Sequence, residues 1–545
     1  MNKRIILLYS FMLCFIYVPE KVCASVYLQD RSEAAWVFFT DKKGVDFDPY
    51  SFFDQKAIER RLRHGICLYD TLDVPVRDEY VQELSRFVDS VGVVSRWFNA
   101  AFVHVPSQNL SQIKELGFVR DVRPAALRKT PVLADAETDA GSLLADADTS
   151  LLHAQVSHMN GHYFHKNNIN GKGIRIAVFD AGFRGVNTHP AFRHLTRDGR
   201  IIATYDFHRN REHVFTASVH GTMVLSSLAG VIDGVPLGLA TGAEFLLART
   251  EIRREPLAEE QYWLAAVEWA DQLGADIINS SLGYVYHRYF PEEMDGQTSL
   301  VAQAARIATR KGILIVNAAG NQGNNNQWRI VVTPADVDSV LTVGALDFNS
   351  MLRASYSSVG PAADGTMKPN VSALGQVVAA NRRSLGKPQG TSFASPLVAG
   401  FAACLWQMNP SWSNMQVFQA IERSASLYPY YDYAHGYGIP QACYFFDDYP
   451  GIQMPTFDIV RENKHISINM RIRVRQEAND ETAALKEKQY LYYQIRNEDG
   501  SIARYFVIDL EGITTMKLPK DDFQPGQYLW VHYNGFTSSM KITDP

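Results

Sequence analysis

The chain has 545 residues, a formal net charge of -5 and a hydrophobic content of 46%. That length exceeds one ordinary core and implies about three or four structural units, while the apolar content excludes a disordered chain. The mild acidity, with no basic run anywhere, gives no surface for a nucleic-acid partner.

The N-terminus reads "MNKRIILLYSFMLCFIYVPEKVCAS": Lys3 and Arg4, an apolar run from Ile5 to Val18, then Val22 and Ala24. This is the pattern of a secretory signal over residues 1–24, cleaved after Ala24. Fourteen apolar residues are short for a membrane anchor. Glu20 and Lys21, just before Cys23, argue against a lipid-modified N-terminus. No later stretch is apolar for long enough to cross a bilayer, so the mature chain is expected to be exported without a transmembrane span. Its expected address is secreted: periplasmic, cell-surface or extracellular. Of five cysteines, Cys14 and Cys23 fall in the signal. Cys67, Cys404 and Cys443 remain, an odd number that rules out a disulfide framework. A Cys404–Cys443 bridge stays open, with three separate thiols the favoured reading. No Cys/His cluster has zinc spacing.

Residues 26–127 read as a small α+β unit. "AWVFFT" (35–40) is a strand, "DQKAIERRLRHG" (54–65) a basic helix, and Tyr80, Leu84, Phe87, Val88 and Val91 one helical face. "VVSRWFNAAFVHVP" (93–106) reads as one long strand, followed by a short helix opened by Asn109 and a strand "FVRDV" (118–122). Helices packed on one face of a small sheet satisfy that order. Residues 128–149 form an acidic linker without Lys or Arg after position 129, an exposed segment open to proteolysis.

From 150 to 447 strands alternate with amphipathic helices. "IRIAVFD" (174–180), "AEFLLART" (243–250), "DIINSSLG" (276–283) and "ILIVNAAG" (313–320) are buried strands. Trp263, Ala266, Val267, Ala270 and Leu273 mark one intervening helix, and Val301, Ala304, Ala305 and Ala308 another. The pattern predicts an α/β unit with a mainly parallel sheet covered by helices on both faces. Catalytic groups in such sheets gather at the carboxyl ends of strands. Residues 450–545 change to strict alternation in "HISINMRIRVRQ" (465–476), a hairpin turn at "NEDGS" (497–501) and a late strand "QYLWVHYNG" (527–535). They predict a separate antiparallel, β-sandwich-like unit.

Three segments carry chemistry. "VFDAGF" (178–183) leaves Asp180 at the end of a buried strand. "HGTMVLSSLAG" (220–230) puts His220 at the opening of an apolar helix where close packing needs Gly221, and "GTSFASP" (390–396) sets Ser392 likewise. A serine hydroxyl needs a base, and an imidazole base needs a carboxylate to fix its tautomer. The chain order Asp, His, Ser differs from the orders of the α/β-hydrolases and of the chymotrypsin type. "NAAGNQG" (317–323) adds Asn321, a side-chain amide for an oxyanion, with the Ser392 backbone N–H at its helix start as second donor.

These blocks resemble, in order, those of the subtilisin-like serine peptidases (subtilases) over roughly 150–445. The resemblance implies a subtilisin-like fold, Asp180, His220 and Ser392 as the triad, and Asn321 as oxyanion donor. It also implies that Ser281, Leu282 and Gly283, with Ala318, Ala319 and Gly320, line the cleft and pair their backbone with an extended peptide. Two departures stand out. Ala181 replaces the usual Ser or Thr, so a hydroxyl near the carboxylate is missing, and Tyr284 replaces a common second glycine, which narrows the specificity pocket. Residues 26–127 look like the family's pro-domain, in the style of secreted Bacteroidetes zymogens. The segment 525–542 loosely resembles the β-domains by which some Bacteroidetes proteins are exported. The expected partners are protein or peptide substrates and the chain's own pro-domain. No cofactor is required and no metal site is identified; calcium is common in the family, but the Asn run at 324–326 reads as a solvated loop. The expected function is a secreted serine endopeptidase acting through an acyl-enzyme and made as a zymogen. The alternatives are a catalytically silent scaffold acting as a binding protein, whose usual mark is a lost triad member, or an esterase using the same serine.

Overall fold

The computed structural model describes residues 32–125, 149–252, 258–285, 289–446, 454–471 and 488–543. The signal segment 1–24, all of the linker 128–149 but its last residue, and residues 472–476 of the alternating strand lie outside the described residues.

The first unit contains β1 (Ser32–Phe39), α1 (Pro49–Phe52), α2 (Gln55–Arg63), α3 (Asp78–Leu84), β2 (Ser90–Ser95), β3 (Ala100–Pro106), α4 (Leu110–Lys114) and β4 (Val119–Pro124). The strands form one antiparallel sheet in the order β2-β3-β1-β4. Side chains alternate across a strand, so Ala35, Val37 and Phe39 pack with Leu84 of α3 and Ile113 of α4. Trp36 and Phe38 face the other way. The single strand expected over 93–106 is instead a hairpin. Residues 96–99 turn the chain, with Asn99 in the left-handed region at φ 48°, a conformation asparagine tolerates. The Asn99 amide donates to the carbonyls of Phe39 and Asp41. The turn is hidden in the sequence because Trp97 within it is buried. The helical face expected through Val91 also stops early: α3 ends at Leu84, and Val91 lies on β2.

The central unit begins with α5 (Thr149–Ser157), α6 (His162–Lys166), β5 (Arg175–Asp180), α7 (Arg193–Arg197), β6 (Ile201–Asp206) and α8 (His220–Ala229). A small hairpin, β7 (Val231–Ile232) and β8 (Val235–Pro236), leads to β9 (Glu244–Arg249), α9 (Ala258–Gln272), β10 (Ile277–Ser280), α10 (Leu300–Arg310) and β11 (Leu314–Ala318). It ends with β12 (Leu341–Leu346), β13 (Val371–Leu374), the hairpin β14 (Ala379–Asn381) and β15 (Ser384–Gly386), α11 (Thr391–Met408) and α12 (Asn414–Ser424). Seven strands pair in the order β13-β12-β11-β10-β5-β9-β6, all parallel. Ile176 and Val178 pack with Leu225 of α8 and Leu397 of α11. Ala177 and Phe179 pack with Trp263 of α9 and Val301 of α10. Burial on both faces is what makes these strands read as unbroken apolar runs. From β5 the chain runs out to the edge strand β6, returns as β9 between the two, then crosses to β10 on the other side of β5 and builds the other way. The order therefore reverses between β5 and β10, and a crevice opens at their carboxyl ends.

Trp36, Phe38, Trp97 and Phe102 of the first unit share one core with Trp263, Val267 and Ala270 of α9. At the rim of this core lies a buried ionic cluster. Asp271 of α9 accepts from Arg60 at 2.5 Å, Arg61 at 2.8 Å and Arg96 at 3.1 Å. Arg61 also stacks over the Phe53 ring at 3.8 Å. Glu268, one turn earlier on α9, accepts from Ser95 Oγ, from the backbone N–H groups of Arg96 and Trp97, and from the Arg96 guanidinium. Burial pushes both carboxyls up; three guanidinium groups outweigh it at Asp271, whose pKa is lowered, whereas one does not at Glu268, whose pKa is raised.

The last unit holds β16 (Phe457–Arg461), β17 (His465–Met470), β18 (Tyr490–Arg496), β19 (Ile502–Asp509), β20 (Thr515–Pro519), β21 (Tyr528–Tyr533) and β22 (Phe536–Lys541). Two antiparallel sheets, β16-β17-β20 and β19-β18-β21-β22, enclose one core around Ile466, Leu491, Tyr493 and Leu529. On the other face of β18, Tyr492 packs against Tyr430 and His435 of the central unit. Cys67, Cys404 and Cys443 are free thiols, in line with the favoured expectation.

Removing one partner of a buried ion pair leaves uncompensated charge, at a cost of about 3–5 kcal/mol. Asp271→Ala takes a carboxylate from three guanidinium groups at once, leaving Arg60 without an ion-pair partner among the described residues while Arg61 keeps Asp73 and Arg96 keeps Glu268. In a chain carrying Ser392→Ala, urea unfolding followed by tryptophan fluorescence is expected to show at least that loss; a change below about 1 kcal/mol would contradict the role given to Asp271.

Candidate active site

Asp180 is the last residue of β5, His220 the first of α8, Ser392 the second of α11, and Asn321 follows β11. Residues spread over more than two hundred positions thus meet at the crevice. The Asp180 carboxylate is fully buried. Its Oδ1 accepts from the Ala181 N–H at 2.7 Å, and both oxygens lie 2.9 Å from His220 Nδ1. A carboxylate only accepts, so Nδ1 carries the proton and Nε2 of the neutral ring is the basic nitrogen. Ala181 brings no hydroxyl to Asp180, and its own N–H donates to the carboxylate in part compensation.

This pairing depends on a close approach. The Gly221 N–H donates to the Gly182 carbonyl at 3.1 Å. A Cβ on Gly221 would sit 2.5 Å from that oxygen and 2.9 Å from Asp180 Cβ. The His220 N–H is capped by Ser218 Oγ at 3.0 Å. On its far side the imidazole meets the Phe393 ring, with centroids 5.4 Å apart, next to the serine.

Ser392 is set by a different device. Gly390 turns the chain into α11 at φ 152°, ψ 159°, a region essentially confined to glycine. Pro396 has no N–H to give the Ser392 carbonyl four residues back. That carbonyl accepts instead from Ser281 Oγ at 2.9 Å. Ser281 Oγ in turn accepts from Asn279 Nδ2 at 3.1 Å, and Asn279 Oδ1 accepts from Ser395 Oγ at 2.9 Å. The helix that carries Ser392 is thereby laced to the end of β10. The Ser392 hydroxyl donates to the Ser281 carbonyl at 3.2 Å. Asn321 Oδ1 accepts from both the N–H and the hydroxyl of Thr391, each at 3.0 Å. A backbone N–H can only donate, so the amide's orientation is fixed and its NH2 group occupies the opposite edge.

Of the expected cleft residues, Leu282, Gly283 and Gly320 are partly exposed, while Ser281, Ala318 and Ala319 are buried. The carbonyls of Ala318, Ala319 and Gly320 accept from Asn317 Nδ2, Val332 N and Ser358 N. Tyr284 does not narrow the cleft: its ring is buried in the core beside α9, and its hydroxyl donates to Glu251 at 2.8 Å. Thr391, Asn279 and Ser395 were not singled out in the sequence. Asn279 is fully buried at the end of an apolar strand, and a polar residue in that position is the signal that marks it.

An aspartate-backed histidine beside a helix-borne serine, on this parallel sheet, is the architecture of a serine peptidase. The subtilase family model matches residues 171–438, and that of the Bacteroidota peptidase S8 propeptide domain matches 34–138. Subtilisin BL of Lederbergia lenta is 30% identical over 272 residues, 50% of this chain and 90% of its own length. Subtilisin DY of Bacillus licheniformis is 32% identical over 258 residues, 47% and 85% respectively. A solved structure of a cold adapted subtilisin-like serine proteinase is similar at 25% identity and a TM-score of 0.40, over 50% of this chain and 89% of that one. The chain belongs to the subtilase family and is a subtilisin-like serine endopeptidase preceded by a family propeptide domain.

Gly221→Ala is expected to part His220 from Asp180. A misplacement of about 1 Å costs roughly 100-fold in turnover, so kcat on a peptide anilide should fall at least that far while circular dichroism stays native. Turnover within about threefold of wild type would refute the close-approach constraint.

Proposed function

We propose that the protein is an exported zymogen in which Ser392 is the nucleophile, His220 the general base and acid, Asp180 the carboxylate that orients and supports the imidazolium, and Asn321 the oxyanion donor. The observation that carries this reading is the Asp180–His220 pair, which leaves Nε2 basic and sets the ring beside Phe393, the neighbour of Ser392.

A peptide extended along Ser281–Gly283 competes for the Ser281 carbonyl and releases the serine hydroxyl to turn toward His220. Oγ then attacks the scissile carbonyl as Nε2 takes its proton. The oxyanion meets the Asn321 NH2 group and the Ser392 N–H at the start of α11, donors that act where charge develops and not on the ground state. His220 returns the proton to the leaving amine, an acyl-enzyme remains, and water, deprotonated by the same imidazole, hydrolyses it.

The propeptide domain lies ahead of this site in the chain and is held against α9 by the Asp271 and Glu268 clusters. Tethered to the peptidase, it acts at high effective concentration. The enzyme's own serine cuts within 125–149, and the freed domain inhibits until it dissociates or is degraded. Export rests on the signal pattern at 1–24.

One variant tests both parts. Ser392→Ala is expected to abolish fluorophosphonate labelling and to lower casein hydrolysis by about 10^4 or more. Its purified chain should also keep an N-terminus near Ser25, where wild type acquires one between 125 and 150. Residual hydrolysis above a tenth of wild type (roughly) would sink the nucleophile assignment; trimming as efficient as in wild type would sink self-cleavage.

A further inference from the structure

Val332 lies outside every motif block, yet it stands between the two walls of the crevice. One wall is Ser281–Gly283 and the other Ala318–Gly320. The Ser281 carbonyl is 3.2 Å from Ser392 Oγ, and Gly320 immediately precedes Asn321. An acyl residue carried by Ser392 with its oxyanion toward Asn321 would be flanked by both walls, and its side chain would have to be accommodated in the gap between them.

The walls meet the gap as glycines, which alone would leave an open slot. The same valine fills it from both sides. A Cβ built on Gly283 would overlap Val332 Cγ2, and one built on Gly320 would lie 2.7 Å from Val332 Cγ1 and 3.2 Å from Cγ2. One methyl closes on each wall. Val332 is also pinned. Its N–H donates to the Ala319 carbonyl at 3.2 Å, and the carbonyl of its neighbour Thr333 accepts from Tyr284 at 3.0 Å. It is 3% exposed and backed by Val285, Met294 and Trp328. A β-branched side chain is restricted at χ1 and, packed from behind, has little room to swing aside.

We propose that Val332 is the specificity-determining residue of this enzyme: it forms a raised floor that admits Gly, Ala or Ser ahead of the scissile bond and excludes large aliphatic and aromatic side chains. This rests on the peptidase reading above. It names the substrate class as proteins cut after small residues, and it places the narrowing of the pocket at Val332 and not at Tyr284.

The test uses the enzyme matured from the full-length chain, titrated with a fluorophosphonate, on tetrapeptide anilides that differ only in the last residue: Ala, Ser, Leu or Phe. In hydrophobic pockets a single methylene changes kcat/KM by about 10 to 200-fold, and a phenyl ring exceeds the Ala methyl by several such units. The wild-type Ala-to-Phe ratio of kcat/KM is therefore expected at about 100 or more. In Val332→Gly the ratio should fall at least about tenfold, with Val332→Ala between, so that the proposal stays testable if the glycine variant misfolds. A wild-type ratio near one, or a ratio unmoved in both variants, overturns the assignment while titration still reports an active serine. No titratable serine and no turnover of any anilide would strike the peptidase reading, and this proposal with it.

Discussion

A carboxylate buried at the end of a central strand is costly unless its oxygens are met. At Asp180 they are met by one backbone N–H and one imidazole. That requirement constrains much of what surrounds it. It demands that α8 begin within contact of β5, which only a residue without a Cβ at position 221 allows. It fixes the tautomer of His220 and thereby the nitrogen that faces the chemistry. The serine arrives from the other side on α11, whose first turn is laced to β10 through Ser281 and Asn279 because Pro396 leaves a carbonyl unclaimed. The crevice is the meeting of two separately positioned halves across the β5/β10 reversal.

The propeptide interface obeys a related logic with heavier charge. An apolar contact around Trp36, Trp97 and Trp263 supplies much of the burial. The ionic cluster at its rim contributes less to net stability than its bond count suggests, since each ion gives up water to enter. Its effect is on fit. Asp271 accepts only a partner that brings guanidinium groups to its oxygens, and Glu268 only one whose hairpin turn offers N–H groups at 96 and 97. A displaced register loses both sets together, so the interface discriminates sharply between docked and undocked.

How much of this was legible in the sequence follows from the range of each interaction. The four candidate site residues stand out because each sits in a block where small residues flank a strand end or a helix start. The parallel sheet was legible through four of its strands, β5, β9, β10 and β11, because burial on both faces leaves apolar runs; β6, β12 and β13 were not read from the sequence. The 96–99 turn was not, because its tryptophan serves the propeptide core and masks the turn composition. The segment 54–65 read simply as a basic helix; Arg60 and Arg61 are buried against Asp271 of α9, and no local pattern reports a pairing across two hundred residues. The place of Tyr284 after Gly283 suggests the cleft, but beyond the end of β10 its N–H bonds the Thr333 carbonyl and its ring lies in the core beside α9. The contact of Val332 with Gly283 and Gly320 depends on tertiary packing and has no sequence signature at all.

The central claim is that Asp180 acts through His220 and not as a buried structural acid. The most direct measurement is the rate of fluorophosphonate labelling and of anilide turnover in Asp180→Asn across pH. This substitution preserves shape but lets Nδ1 of His220 become the acceptor, leaving Nε2 protonated and unable to take the serine proton. Turnover near neutral pH is expected to fall about 10^4-fold with the thermal transition nearly unchanged. An Asp180→Asn enzyme that is well folded and within tenfold of wild type (roughly) at that pH would contradict the assignment of the site.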